Sequence, residues 1–232
     1  MNKTTLLKKL WFTLVPDLPI PCRRFGLRYG FSLRDHWRYL FPSPEARLDD
    51  EMVAKALLGN SKAGDLVWDV GSNAGLFSTV LAAHGRKVIA YDISPDAQRY
   101  TKANAQRNGT DVITLGGLSV KHIPYSQPSN SRLGNALTGG GGTHMAITHT
   151  WKWEMLKHGV PSLIKMDIEG HELEFLNDPD FIDFIKRGKT VWAMEAHTAE
   201  INSRAMALVG GGINNSYQHN SSFFCMKGNC DI

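Results

Sequence analysis

The feature that most constrains this chain is the run D-L-V-W-D-V-G-S-N-A-G-L-F-S-T-V-L-A-A-H-G-R-K-V-I-A-Y-D over residues 65–92. Leu66, Val67 and Trp68 are too few for a helix and large enough for a buried strand. A polar, glycine-bearing stretch from Asp69 to Gly75 interrupts them. Leu76, Phe77, Val80, Leu81 and Ala83 then recur at helical spacing, and the helix should end near His84-Gly85. Residues 87–91 form a second apolar strand that stops at Asp92. Strand, glycine turn, helix, strand and terminal acid make one βαβ unit, which implies an α/β fold with a mostly parallel sheet and helices on both faces.

Each part of the unit has a chemical use. Gly71 and Gly75 lack a Cβ, so the turn can bend sharply and a ligand can approach its backbone. The next helix presents unpaired N–H groups at its start. Asp92, at the carboxyl end of the second strand, could accept both hydroxyls of a ribose, and ligands of open α/β sheets bind along that edge. A dinucleotide turn needs G-x-G-x-x-G, with the third glycine for close helix packing. Here the pattern is D-x-G-x-N-x-G, and Ser78 stands three residues after Gly75. Asp69 puts a carboxylate where a pyrophosphate would be repelled and an amino-acid ammonium would be welcome. That favours S-adenosylmethionine over NAD, with Ser72, Asn73, Phe77 and Ile93 completing the expected cofactor lining.

A chain of 232 residues, 42% hydrophobic, can bury one full core with a short appendage. The net charge of +4 lies in residues 1–50, which hold nine Lys and Arg against five Asp and Glu. The expected division is an N-terminal helical or irregular cap over residues 1–48 and a catalytic domain over 49–232, with an insert at about 116–150. Residues 1–15 suggest a short amphipathic helix packed on the body or on a second copy of the chain. Leu10–Val15 is too short and interrupted for a signal peptide, and no apolar run approaches the roughly 18–20 residues of a membrane span. Three scattered cysteines, an odd number, argue against a disulfide framework and suggest a reducing, cytoplasmic setting. Five arginines (23, 24, 28, 34, 38) interleave with aromatics, a pattern that can bind RNA; without an RNA-binding module it reads as a cap or lid.

Further along, Asp49, Asp50 and Glu51 open an expected helix over 49–58. Ser94-Pro95 starts another over 96–108, followed by a strand at 112–115. From 116 to 150 the rhythm breaks, with Gly139–Gly142 in a long insert expected to form a hairpin beside the cleft. A helix at 151–158, strands at 161–167 and 190–194, a helix at about 199–208 and an apolar run at 223–226 complete the sheet.

Two further sets of ionisable residues end strands. Lys165, Asp167 and Glu169 stand at one carboxyl end, with His171 just beyond, and Glu195 and His197 stand at the next. In a parallel sheet these ends converge on the ligand edge. Taken with D-V-G-S-N-A-G-L-F-S (69–78) and Y-D-I-S-P (91–95), the motifs K-M-D-I-E-G-H-E-L-E-F-L (165–176) and M-E-A-H (194–197) resemble the FkbM family of S-adenosylmethionine-dependent methyltransferases over roughly residues 45–227. The resemblance implies a Rossmann-like class I fold with a reversed last hairpin strand, supplied by 223–226, and O-methylation of a sugar, glycan or natural-product hydroxyl. It implies that Asp69, Gly71, Asn73 and Gly75 frame the methionine moiety, Asp92 holds the ribose, and Asp167 and Glu169 face the transferred methyl. Where this chain has Asp92 the family commonly has Glu.

Methyl transfer to a hydroxyl needs alignment, exclusion of water and a proton acceptor. Asp167 or His197 is the expected base, with Glu169 and His171 orienting it and Lys165 and Glu195 on the substrate side. Asp167, Glu169 and Glu195 could also hold a divalent cation such as Mg²⁺, a reading the sequence does not favour. The alternatives are an NAD-dependent oxidoreductase, a nucleotide-binding module without turnover, and an RNA methyltransferase.

Overall fold

The computed structural model describes residues 14, 15, 17–121, 125–127, 144–209, 216–218 and 222–227. In chain order, a hairpin of β1 (Pro19–Arg24) and β2 (Leu27–Ser32) precedes the short α1 (Trp37–Leu40) and the long α2 (Pro44–Gly59). β3 (Leu66–Val70), α3 (Leu76–Ala83), β4 (Lys87–Tyr91), α4 (Pro95–Arg107) and β5 (Ile113–Leu115) follow. The insert contributes β6 (Gly117–Ser119), β7 (Tyr125–Gln127), β8 (His144–Ala146) and β9 (Thr148–Thr150). Then come α5 (Trp151–His158), β10 (Leu163–Met166), α6 (Glu172–Leu176), α7 (Pro179–Arg187), β11 (Val191–Ala196), α8 (Ala199–Val209), β12 (Ser216–Gln218) and β13 (Ser222–Lys227).

The central sheet runs β12-β13-β11-β10-β3-β4-β5. β5, β4, β3, β10 and β11 pair in parallel, whereas β13 runs antiparallel to β11, and β12 antiparallel to β13. Alternation along the strands divides the core in two. Val67, Val88, Ala90, Leu163, Val191 and Ala193 meet Ala56 and Leu57 of α2, Leu81 of α3 and Ala105 of α4. Trp68, Tyr91, Ile164, Met166, Trp192 and Met194 meet the helices that follow the insert, through Trp151, Phe175, Phe181 and Ile201.

Several expectations shift. Among its described residues the N-terminal segment expected as a helical or irregular cap contains, besides the short α1, a hairpin: β1 and β2 pair along their whole length, and Tyr29 and Phe31 are buried with Ala74, Leu76 and Tyr100. Helix α2 begins at Pro44 rather than Asp49, because the Ser43 hydroxyl accepts from the Ala46 N–H at 3.2 Å with Pro44 in the first turn. This is the same Ser-Pro start that operates at Ser94-Pro95. β3 extends through Val70, so Asp69 lies inside the strand and not in the turn. Helix α7, capped by Asp178, has no counterpart in the sequence reading. The insert holds a two-stranded antiparallel pair, β7 with β8, and a parallel pair, β6 with β9. Most of the helix expected over residues 1–15 and all of the glycine tract 139–142 lie outside the described residues.

Candidate functional site at the carboxyl edge of the sheet

The site begins beneath the edge, in the sheet itself. Asp69 and Lys165 are register partners on neighbouring strands, flanked in the same row by Ala90 and Ala193. The small neighbours leave room for a buried ion pair, and both partners are almost sealed from solvent. Lys165 Nζ lies 3.3 Å from Asp69 Oδ1, 3.1 Å from the Gly71 carbonyl oxygen and 3.4 Å from Asp167 Oδ2. It also stands 5.6 Å from the centre of the Phe77 ring. Burial opposes the ammonium charge, but Asp69 and Asp167 outweigh it and hold Lys165 above the ordinary lysine value. Asp69 also accepts from the Ser78 hydroxyl at 2.5 Å. The positive partner of Asp69 in the described structure is therefore Lys165.

The glycine turn is shaped by protein contacts. Gly71 has φ +79°, and a Cβ there would fall 1.7 Å from the Asp167 carbonyl oxygen. A Cβ on Gly75 would fall 2.6 Å from Thr101 Cα on α4. Both glycines thus let neighbouring backbone in. The Gly71 and Ser72 N–H groups donate to the Tyr91 carbonyl, Asn73 N–H to Asp92 Oδ2 and Gly75 N–H to the Ser72 carbonyl. Ser72 is buried, with its hydroxyl 3.4 Å from that of Thr101.

Asp92 follows β4 with both carboxylate oxygens already anchored. Oδ2 accepts from Asn73 N–H at 2.8 Å and Oδ1 from Ser94 N–H at 2.9 Å. Each oxygen keeps a second acceptor position. Burial, opposed by those two N–H donors, pushes Asp92 up to about 6. Ile93, beside it, packs on Gly117 of the insert.

At the ends of β10 and β11 the second cluster assembles around His197. Its Nε2 lies 3.2 Å from Asp167 Oδ1 and 3.9 Å from Glu169 Oε2, and its Nδ1 lies 3.2 Å from Glu172 Oε1. Glu172 is fully buried and also accepts from the N–H groups of Ile168 and Gly170, both at 2.8 Å. Those bonds fold the loop back on itself and hold Glu169 in a left-handed conformation, φ +55°. Burial works against a charged His197, but its hydrogen bonds to Asp167 and Glu172 override it and raise the imidazole well above neutrality. Burial would likewise raise Asp167, yet Lys165 and His197 hold it well below the usual carboxylate range. Both ring nitrogens of His197 are turned to carboxylates, Asp167 at Nε2 and Glu172 at Nδ1, so the two residues expected as base, Asp167 and His197, face one another.

Asp167, Glu169 and His197 are brought together, and Glu195 lies close enough to contribute to the field at Lys165. His171 is not part of this group: burial lowers it, and the acids around it are Glu174 and Glu172. Two residues of the site escaped the sequence reading. Glu172 stands in the quoted K-M-D-I-E-G-H-E motif, and its spacing from Gly170 could have marked it as a loop anchor. Tyr39, from α1, is one of the aromatics interleaved with the arginines of the expected cap or lid, and nothing in the sequence singles it out among them. Its hydroxyl is 3.4 Å from Asn73 Nδ2, and burial beside Asp167 and Asp50 pushes it above the ordinary tyrosine value.

No family model matches the chain. Over 138 residues it is 30% identical to the hexuronic acid methyltransferase AglP of Haloferax volcanii, covering 55% of this chain and 55% of that protein. The chain thus spans little more than half the length of this curated relative. Its fold matches the C-terminal domain of precorrin-6Y C5,15-methyltransferase from Rhodobacter capsulatus with a TM-score of 0.51 at 12% identity, over 78% of this chain and 88% of that one. It also matches the tRNA (uracil-54, C5)-methyltransferase of Pyrococcus abyssi, solved with S-adenosyl-L-homocysteine, with a TM-score of 0.53 at 11% identity, over 91% of this chain and 44% of that one. The homology is to methyltransferases, and the architecture is the Rossmann-like class I methyltransferase fold.

Proposed function

We propose that this chain binds S-adenosylmethionine and methylates a hydroxyl of a small molecule, with a sugar or glycan as acceptor, as FkbM family enzymes do. Asp92 carries the reading. Two backbone N–H groups fix its carboxylate at the end of β4, and each oxygen retains an acceptor position for one ribose hydroxyl. The turn fits a nucleoside better than a dinucleotide, since the N–H groups of Gly71, Ser72, Asn73 and Gly75 are all engaged within the protein and unavailable to a pyrophosphate. That weighs against the oxidoreductase alternative.

S-adenosylmethionine, when bound, supplies a methyl group on a positively charged sulfur. The residues around it would act by position and charge: Asp92 would hold the ribose, and the carboxylates of Asp167 and Glu169 would favour the cationic end. Lys165 would keep Asp69 and Asp167 in place from below. A hydroxyl becomes strongly acidic as its oxygen gains a methyl group, so an ionised carboxylate suffices to take the proton late in the step. Asp167 and Glu169 are suited to that task, and the His197 imidazolium would steady them. The sugar class draws support from the name of the Haloferax relative. An RNA acceptor draws less, because Arg24 pairs with Asp50 and Arg34 with Asp17 and Asp35. In this reading residues 1–48 cap the domain formed by 49–232, Tyr39 reaches the site from that cap, and the protein works in the cytoplasm.

Calorimetry with S-adenosylhomocysteine tests the central claim. Asp92→Ala should weaken binding by roughly 10–100-fold, the worth of charge-assisted hydrogen bonds at ~1.5–3 kcal/mol. An unchanged affinity would remove the ribose role. Mass spectrometry with S-adenosylmethionine and a panel of sugars, sugar acids and glycans then tests the acceptor, with methylation of RNA alone as the opposing result.

A further inference from the structure

We infer that Asp167, Glu169 and His197 form a binding site for one first-row divalent cation, with Mn²⁺ the ion best matched to its donors. One ligand atom from each residue lies within 4.8 Å of the other two. His197 Nε2 is 3.2 Å from Asp167 Oδ1 and 3.9 Å from Glu169 Oε2. Donors bound to a common ion at about 2.0–2.2 Å stand roughly 3–4.4 Å apart, so shifts of a few tenths of an ångström would close the set on an ion.

The second observation lies outside the three ligands. Glu172 is fully buried, and its Oε1 lies 3.2 Å from His197 Nδ1. The N–H groups of Ile168 and Gly170 hold the same carboxylate in place. Glu172 therefore keeps a proton on Nδ1 and aims Nε2 at the two carboxylates. A buried carboxylate behind the far nitrogen of a histidine is the usual support of a metal-binding imidazole, because it sets the tautomer and raises ligand basicity. The donor set also differs from the all-carboxylate group of Asp167, Glu169 and Glu195 that the sequence suggested. One imidazole with two carboxylates suits Mn²⁺ better than Mg²⁺, which prefers oxygen alone.

The ion would put positive charge beside the oxygen that accepts the methyl group. That use rests on the proposed function, whereas the site itself does not.

The test is titration of the full chain with Mn²⁺, following the free-ion signal by electron paramagnetic resonance. One ion per chain is expected. His197→Gln and Glu169→Gln should each lower the affinity at least tenfold, and Glu172→Gln should lower it by about 10–100-fold. Glu169 is about half exposed, so that variant keeps its fold even if a change at buried Glu172 disturbs packing. Asp92→Ala should bind Mn²⁺ like the unmodified protein while losing the nucleoside, which separates failure of this site from failure of the methyltransferase reading. No loss of free-ion signal at about 1 mM, the weak end of functional divalent sites, overturns the inference. So does binding that Glu169→Gln and His197→Gln leave unchanged.

Discussion

Replacing Lys165 with Met probes the buried charge on which the candidate site rests. The lysine Nζ is the ion-pair partner of Asp69 Oδ1 at 3.3 Å, and Asp69 is fully buried. Methionine fills similar space but strands that carboxylate. Breaking a buried pair from one side costs about 3–5 kcal/mol. A second limit comes from proton uptake: an aspartic side chain titrates near 3.9 in an unfolded chain, so protonating it at pH 7 costs about 4 kcal/mol. The two figures agree, and the second carries a sign. If the folded variant binds a proton that the unfolded chain releases above about pH 4, its stability must fall by about 1.4 kcal/mol per pH unit as pH rises. The deficit relative to the unmodified protein should therefore be small near pH 4.5 and largest at pH 7. Urea unfolding followed by the fluorescence of buried Trp68 and Trp192 measures it directly. The double variant Lys165→Met, Asp69→Asn removes both charges and should recover most of the loss. A deficit that does not change with pH, or a double variant no more stable than Lys165→Met, would refute the reasoning.

Affinity for S-adenosylhomocysteine should fall as pH drops through about 6, by no more than the roughly 10–100-fold expected for Asp92→Ala, and level off above 7, since Asp92 is pushed up to about 6 and accepts from hydroxyls most strongly when ionised. In the free protein its effect has the opposite sign: Asp92 titrates above its unfolded value of about 3.9, so its contribution to stability declines from about pH 4 to 6. Gly71→Ala should destabilise by more than about 2 kcal/mol, because the methyl group would meet the Asp167 carbonyl in a left-handed backbone. Gly59→Ala is the contrasting case: no atom lies within 4 Å of the new methyl group, at the end of α2, and a gain of up to about 1 kcal/mol is expected in thermal unfolding.

Much of the parallel sheet is legible in the sequence, because strands buried on both faces read as short apolar runs and their helices carry local caps. β4 and α5 fall on their expected residues, and β3 differs only at its end. The N-terminal hairpin was missed because Arg23, Arg24 and Arg28 break the alternation that would mark it, while its burial comes from contacts with α4 and the glycine turn. Helix α7 was missed although Asp178-Pro179 is the same kind of start as Ser94-Pro95.

Taken alone, the sequence determined that acids and a lysine end successive strands and so gather at one edge, because a parallel sheet carries all its carboxyl ends to the same side. Only the tertiary structure decided what those groups are. Asp69 and Lys165 neutralise one another because they meet in register between two alanines. His197 carries a proton because Asp167 and Glu172, 30 and 25 residues earlier, close on its two nitrogens. The charge of an ionisable group depends on what surrounds it in space, and that surrounding is assembled from distant parts of the chain.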